Sequence, residues 1–265
     1  MKELTDSKLY FWPYDIFGYL LPGFVVMIPL IEFNTQVRGL FTERFSEKSI
    51  LDTLAITGVA YTLGHIVAAL SSLFLERFVL KLSHGYPGNQ VFVLEPKTRS
   101  RWKSVLLSLL PGKCHRYPPQ FVRRYLVLYN RIFHQTIESA AESRVADDLF
   151  WNCSLYASVH HPTGFHIAQH FVELYGFARN TCMALLIIMF YPLVPGWSLM
   201  FTRGAMAPSW VWSLGALLAA YFMYDNYTKL LRRQNDHIFR SFFVSASDDA
   251  KLDEADEIVL PSSGL

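Results

Sequence analysis

Apolar positions along this chain gather into four runs at or near membrane-crossing length, separated by stretches where apolar residues recur at helical spacing. The runs are IFGYLLPGFVVMIPLI (16–31), TLAITGVAYTLGHIVAALSSLFL (53–75), TCMALLIIMFYPLVPGWSLMFT (181–202) and GAMAPSWVWSLGALLAAYFMY (204–224). A bilayer core takes about 20 apolar residues as helix. The expectation is an all-α integral membrane protein with four transmembrane helices. Aromatic rings mark the ends of the runs: Trp12 and Tyr14 before the first, Trp197 near the end of the third, Trp210 and Trp212 early in the fourth, Tyr221 and Tyr224 at its close. Amphipathic rings favour the headgroup layer. The first run begins too late, and is flanked too polarly, for a cleaved signal peptide.

Residues 76–180 separate the second and third runs and suffice for a small α-rich cytoplasmic domain inserted between transmembrane helices 2 and 3. The second span is expected to continue as helix to about Ser83, where HGYPGN supplies turn residues. VFVL (91–94) is a short strand candidate. Phe121, Tyr125, Leu128 and Ile132 recur near helical period after Pro118 and Pro119, which suit a helix start. A second helix is expected over 146–159, broken by HPTGFH, and a third leads from FHIAQH directly into the third span. After the fourth span, residues 225–245 predict a basic amphipathic helix, with Tyr227, Leu231, Ile238 and Phe242 on one stripe. The acidic remainder, 246–265, is expected to be disordered. The predicted organisation is therefore 1–75, 76–180, 181–224, 225–245 and 246–265.

Charge orients this layout. With both termini inside, the outer loops hold four of the 24 cations: Arg38, Arg44, Lys48 and Arg203. Cytoplasmic loops carry the Lys and Arg excess, so the expected location is the inner (plasma) membrane, multi-pass, with both termini cytoplasmic. Charged residues are only 17% of the chain, and the net charge of +2 gives no general pull toward nucleic acid, so no nucleic-acid partner is expected. Cys114, Cys153 and Cys182 are an odd, widely spaced set and predict reduced thiols.

Candidate chemistry comes from polar residues placed in apolar company. Asp15 opens the first span; at the bilayer centre it would cost about 2.5–3.5 kcal/mol, so it is expected at the cytoplasmic mouth. Asp15, Tyr19 and Gly23 are four apart and share a face expected to look at protein. Pro22 predicts a kink. Thr57, Tyr61 and His65 repeat every four residues on the second span. An intramembrane His is a functional candidate by default, against the plainer reading of a helix–helix hydrogen bond. Asp15, Tyr19, Thr57, Tyr61 and His65 are thus the bundle- or pore-facing candidates. Gly58, Gly64, Gly215, Ala216, Ala219 and Ala220 permit close helix contact. Lys97, Arg99, Arg101 and Lys103 alternate in KTRSRWK and, with Arg232 and Arg233, are candidates for contact with anionic headgroups. His166 and His170 are four apart on a predicted helix, a metal-capable spacing, but no HExxH or second histidine box accompanies them, and packing or surface roles are expected. No nucleophile elbow, P-loop or dinucleotide fingerprint is present; neither a catalytic residue nor a cofactor is predicted.

YDIFGYLLPG at the start, LYGFARN before the third span and IFRSFF after the fourth resemble small bacterial inner-membrane proteins associated with anti-phage defence loci. The resemblance implies four membrane helices, a cytoplasmic sensing part and an effector that harms the host membrane on infection. It implies no catalytic residue. Three readings follow: a membrane-embedded, oligomeric effector or channel-like protein; a membrane anchor or scaffold recruiting a soluble partner protein or ligand; and a lipid-directed intramembrane enzyme using His65 or the His166–His170 pair. The lipid bilayer is the partner common to all three.

Overall fold

The computed structural model describes residues 14–33, 39, 50–80, 117–135, 137, 143–191 and 209–259. Among them every regular element is helical. A π-helical stretch, Asp15–Leu20, leads into α1 (Leu21–Phe33); α2 (Ile50–Ser71) passes into a second π-helical stretch, Ser72–Leu80. Then come α3 (Pro119–Phe133), α4 (Ser143–His160), α5 (Pro162–Phe190) and α6 (Ser209–Val259). The helices Ile50–Leu80 and Pro162–Phe190 are long and apolar enough to cross a membrane; the apolar helix Asp15–Ile31 is shorter. The VFVL segment and the four cations Lys97, Arg99, Arg101 and Lys103 lie outside the described residues, as does the helix end expected near Ser83.

The chain divides into two units, Met1–Val79 with Glu173–Tyr227, and Leu80–Val172 with Thr228–Leu265. In the first, many buried positions are small (Gly18, Gly23, Ala60, Gly64, Ala68, Ser71, Ala184, Ala216 and Ala220), beside larger buried side chains such as Val26, Val67, Tyr191 and Tyr227. Large apolar side chains point outward instead, among them Phe17, Ile28, Leu54, Ile66, Leu73, Trp210, Leu218 and Phe222. A Cβ on Gly23 would collide with the Ala60 carbonyl, and one on Gly64 with the Tyr19 carbonyl. Helices α1 and α2 therefore meet backbone to backbone, the contact that small residues make possible where lipid removes the hydrophobic drive. Gly58 and Gly215 do not share this role, since a Cβ on either would meet nothing within 4 Å.

The second unit has a core of large rings. Phe242 is fully buried and packs against Tyr125, Tyr129, Phe133 and Tyr156 at ring-centroid separations of 5.1 to 6.3 Å. Phe239, Leu149, Phe150 and Ile238 complete it. α3 starts on Pro118–Pro119 and ends at His134, whose left-handed backbone (φ 50°) caps it. The Asn130 side chain both donates to and accepts from the Ile137 backbone at 3.0 Å, fastening the chain after that cap. HPTGFH separates α4 from α5, where the His161 ring accepts the Gly164 N–H at 3.0 Å.

Two expectations about the C-terminal third need correction. The helix expected over 225–245 has no start of its own, because α6 is continuous from Ser209 to Val259. Nor does regular structure stop at 246. Neither Gly nor Pro occurs between Gly215 and Pro261, and the acidic stretch DDAKLDEADE is rich in helix-compatible Ala, Leu, Lys and Glu.

Candidate functional site

The site begins with Pro22. Proline has no N–H, so the carbonyl four residues earlier, that of Gly18, loses its α-helical donor. The preceding turn is π-helical, with the Leu21 N–H reaching back five residues to Ile16. Such single π-turns concentrate at functional sites. The buried Asn180 amide donates to the Gly18 carbonyl at 2.8 Å. Its side-chain oxygen accepts from the Ser71 hydroxyl at 2.5 Å and from Arg179 Nε at 3.2 Å. Arg179 pairs with Glu76, whose second carboxylate oxygen accepts from Ser72 at 2.9 Å. One buried polar knot thus ties three helices.

The knot joins two stretches far apart in sequence. In LYGFARN, Phe177 meets Phe17 edge to face at 6.2 Å. A Cβ on Gly176 would come within 2.8 Å of the Tyr14 ring. YDIFGY and LYGFARN therefore meet in space. Asn180, Arg179, Glu76 and Ser71 are not among the residues that sequence reasoning singles out. Their signal is nonetheless there: an Arg-Asn pair immediately before one apolar run, and a Glu immediately after another.

Next to the knot lies a three-ring cluster. Tyr19 stacks on His65 at 4.0 Å, Tyr61 meets His65 edge-on at 4.6 Å, and Tyr19 and Tyr61 are 6.2 Å apart. Asp15, Tyr19 and Tyr61 are half-buried, while His65 is exposed. His65 falls near the middle of the charge-free run 53–75, about 20 Å along the helix from Asp52 and about 16 Å from Glu76 at 1.5 Å per residue. Ala55, Gly58, Thr62 and Ala69 are exposed on α2 with it. Their 3-4-3-4 spacing puts all five on one helical stripe. This stripe is small and polar, flanked by the exposed Ile66 and Leu70.

The remaining candidates are dispersed. Thr57 donates to the Thr53 carbonyl of its own helix at 2.8 Å, so its hydroxyl is already engaged and half-buried. Of the headgroup candidates, Arg233 is exposed and Arg232 is half-buried. His166 and His170 are both exposed, and among the described residues no group of three His, Cys, Asp or Glu is placed to hold a metal ion. The second unit holds perturbed groups of a structural kind. Burial pushes the Tyr125 phenol and the Cys153 thiol well up from their ordinary values, and Tyr125 donates to that sulfur at 2.6 Å. Burial also raises Tyr117, whose hydroxyl is hydrogen-bonded to Asp236. No protein family matches this chain, and neither a curated protein nor a solved structure matches it.

Proposed function

We propose that this chain is a four-span protein of the inner membrane, with both termini and the second unit in the cytoplasm, that acts as an oligomeric, channel-like effector. One observation carries the reading: an exposed His65 at the middle of a charge-free helix, inside a stripe made of Ala55, Gly58, Thr62 and Ala69. Intramembrane ionisable residues face the bundle interior or water rather than lipid. Small residues at this spacing let another helix approach closely. Gly58 keeps an open notch where Gly64, on the neighbouring face, is already filled. A second copy of α2 satisfies both demands and encloses a polar seam. The resemblance of YDIFGYLLPG and LYGFARN to membrane proteins of anti-phage defence loci makes infection the proposed trigger and membrane disruption the proposed outcome.

Thiol cross-linking tests the seam. Thr62→Cys and Ala69→Cys, each in native membranes, are expected to give disulfide-linked copies, while Leu218→Cys on the lipid-facing surface gives none. Monomer alone from both seam variants would overturn the reading. Membrane potential in expressing cells, with and without phage, tests the trigger: depolarisation only on infection is expected.

A second reading, an anchor that recruits a soluble partner, is favoured by one feature of the second unit. Trp151, Leu155 and Val159, each 68% exposed, form an apolar stripe over three turns of α4. A partner lost on Trp151→Ser with Leu155→Ser, with membrane potential never affected, would favour this alternative.

A further inference from the structure

We infer that what passes along the α2 seam is the proton, taken up and released by His65. The inference rests on the oligomeric reading above and deepens it by naming the species carried.

Proton-exchanging groups surround the seam's His65: the Tyr19 phenol stacked on it, the Tyr61 phenol edge-on to it and, one turn from Tyr19, the Asp15 carboxylate. The three rings stand in contact with one another rather than apart. A hydrated cation needs rings of carbonyl or carboxylate oxygens to replace its water. Here the seam-side hydroxyl of Thr62 donates to its own helix, to the Gly58 carbonyl at 2.9 Å. Acids stand toward both ends, Asp52 at one and Asp15 with Glu76 at the other. Intramembrane Asp, Glu and His mark proton pathways.

The step is balanced without any co-reactant except water. One imidazole nitrogen of His65 takes a proton from water on the Asp15 side. The other nitrogen gives its proton to water on the Asp52 side. A tautomer shift or ring rotation restores the starting state. Tyr19 and Tyr61 hold the ring in place, and Asp15 raises the local proton concentration at the mouth.

The test uses the full-length chain in phosphatidylethanolamine–phosphatidylglycerol vesicles, with an enclosed pH-sensitive dye, or with enclosed carboxyfluorescein, under a potassium–valinomycin potential. Thr62→Cys cross-linking in the same vesicles reports assembly. Expected are proton uptake, retained carboxyfluorescein, and a loss of proton flux in His65→Ala of at least about tenfold. Asp15→Asn is expected to slow the flux by a smaller factor. Because His65 is exposed, His65→Gly should assemble, and imidazole in the bath should restore part of its flux. Cross-linked vesicles with no proton flux, or with flux unchanged in His65→Ala, would overturn the inference and leave the oligomer standing. Carboxyfluorescein escaping alongside protons would also overturn it, in favour of a wide pore. Vesicles without cross-links and without flux would remove the oligomeric reading, and the inference with it.

Discussion

The two units of this chain differ in how their helices meet. The Phe239–Phe242 unit hides Tyr125, Tyr129, Phe239 and Phe242 and exposes Arg123, Arg124 and Arg233. The α1–α2 unit hides many glycines and alanines, Ser71 and Asn180 alongside Tyr191, Tyr224 and Tyr227, and exposes Ile66, Leu73, Trp212 and Phe222. In water, burying large apolar side chains is the main favourable term. In lipid that term vanishes between helices, and close backbone approach plus interhelical hydrogen bonds take its place. The first core leans on close backbone approach and interhelical hydrogen bonds, the second on packed rings. Each unit also contains its own reporter, a buried thiol: Cys182 in the first and Cys153 in the second.

The largest effect is expected in the ring core of the second unit. Phe242→Ala removes the ring on which Tyr125, Tyr129, Phe133 and Tyr156 converge. A loss of about 3–5 kcal/mol is expected for the second unit. Labelling of Cys153 in the full chain, read by mass spectrometry with Cys182 as internal reference, should rise steeply. No increase would mean that Phe242 is not the hub of that core.

The matching break in the first unit adds an atom. Gly64→Ala drives a methyl into the Tyr19 carbonyl, a backbone contact with no flexible end to yield. The expected cost is about 1–3 kcal/mol, the overpacking range. It is read as faster Cys182 labelling in detergent. Gly58→Ala, equally conservative in sequence, meets nothing within 4 Å and should leave labelling unchanged. If the two glycines behave alike, the backbone-to-backbone contact of α1 with α2 is wrong.

Asn180→Ala comes next. It leaves the Gly18 carbonyl without its side-chain donor, at a position where Pro22 has already removed the helical one. Leaving a buried acceptor unsatisfied costs about 1–3 kcal/mol. Because Ser71 donates to the same Asn, Ser71→Ala combined with Asn180→Ala should cost less than the two single changes added. Strict additivity would show that the two side chains do not share one knot.

These contrasts also separate what is legible in the sequence from what only the fold reveals. The apolar runs announce helices, and Pro118–Pro119 announces the start of α3, because both signals are local. The meeting of Gly18 with Asn180 is not legible, since nothing local relates positions that far apart. What points toward it is residue type: a proline that must orphan a carbonyl, and an Arg-Asn pair at the edge of an apolar run. Gly58 and Gly64 are indistinguishable by composition; only the packing of α1 against α2 separates the filled notch from the open one. The full length of α6 is hidden by its acidity, which resembles a disordered tail, whereas Ala, Leu, Lys and Glu without Gly or Pro sustain a helix. His65 stands out by its apolar company, but its outward face follows only from the packing.

Alkaline pH separates the units more gently. Burial raises Cys153, Tyr125 and Tyr129 in the second unit above their ordinary values of 9.0 and 10.0. The folded form therefore holds protons that the unfolded chain gives up. Stability from these groups is complete below about pH 9 and falls as pH rises above the unfolded values. Cys153 should stay unreactive toward iodoacetamide at pH 9 in the native chain and react at once in denaturant. Tyrosinate absorbance from the native chain should appear later in a pH titration than from the unfolded one. Rapid native alkylation of Cys153 would show that the aromatic core is open to solvent.

The smallest expected effect is at Thr57. Both Thr57 and Asn180 are polar residues at apolar helices, and they differ in where their bonds go. The Thr57 hydroxyl bonds to the Thr53 carbonyl four residues back, within one helix, so it links nothing to anything else. Thr57→Val keeps the shape and removes a bond whose acceptor already takes part in the helix ladder. A change within about 0.5 kcal/mol is expected, with Cys182 labelling and Thr62→Cys cross-linking unaltered. On the proton reading flux should also persist, because the Thr57 hydroxyl is engaged by its own helix and the exchanging group is His65. A large loss of flux in Thr57→Val would move the relay outward along α2, with Thr57 rather than His65 as its narrowest step. The comparison of the two units would then need a third kind of residue, one whose bond is local and whose role is not.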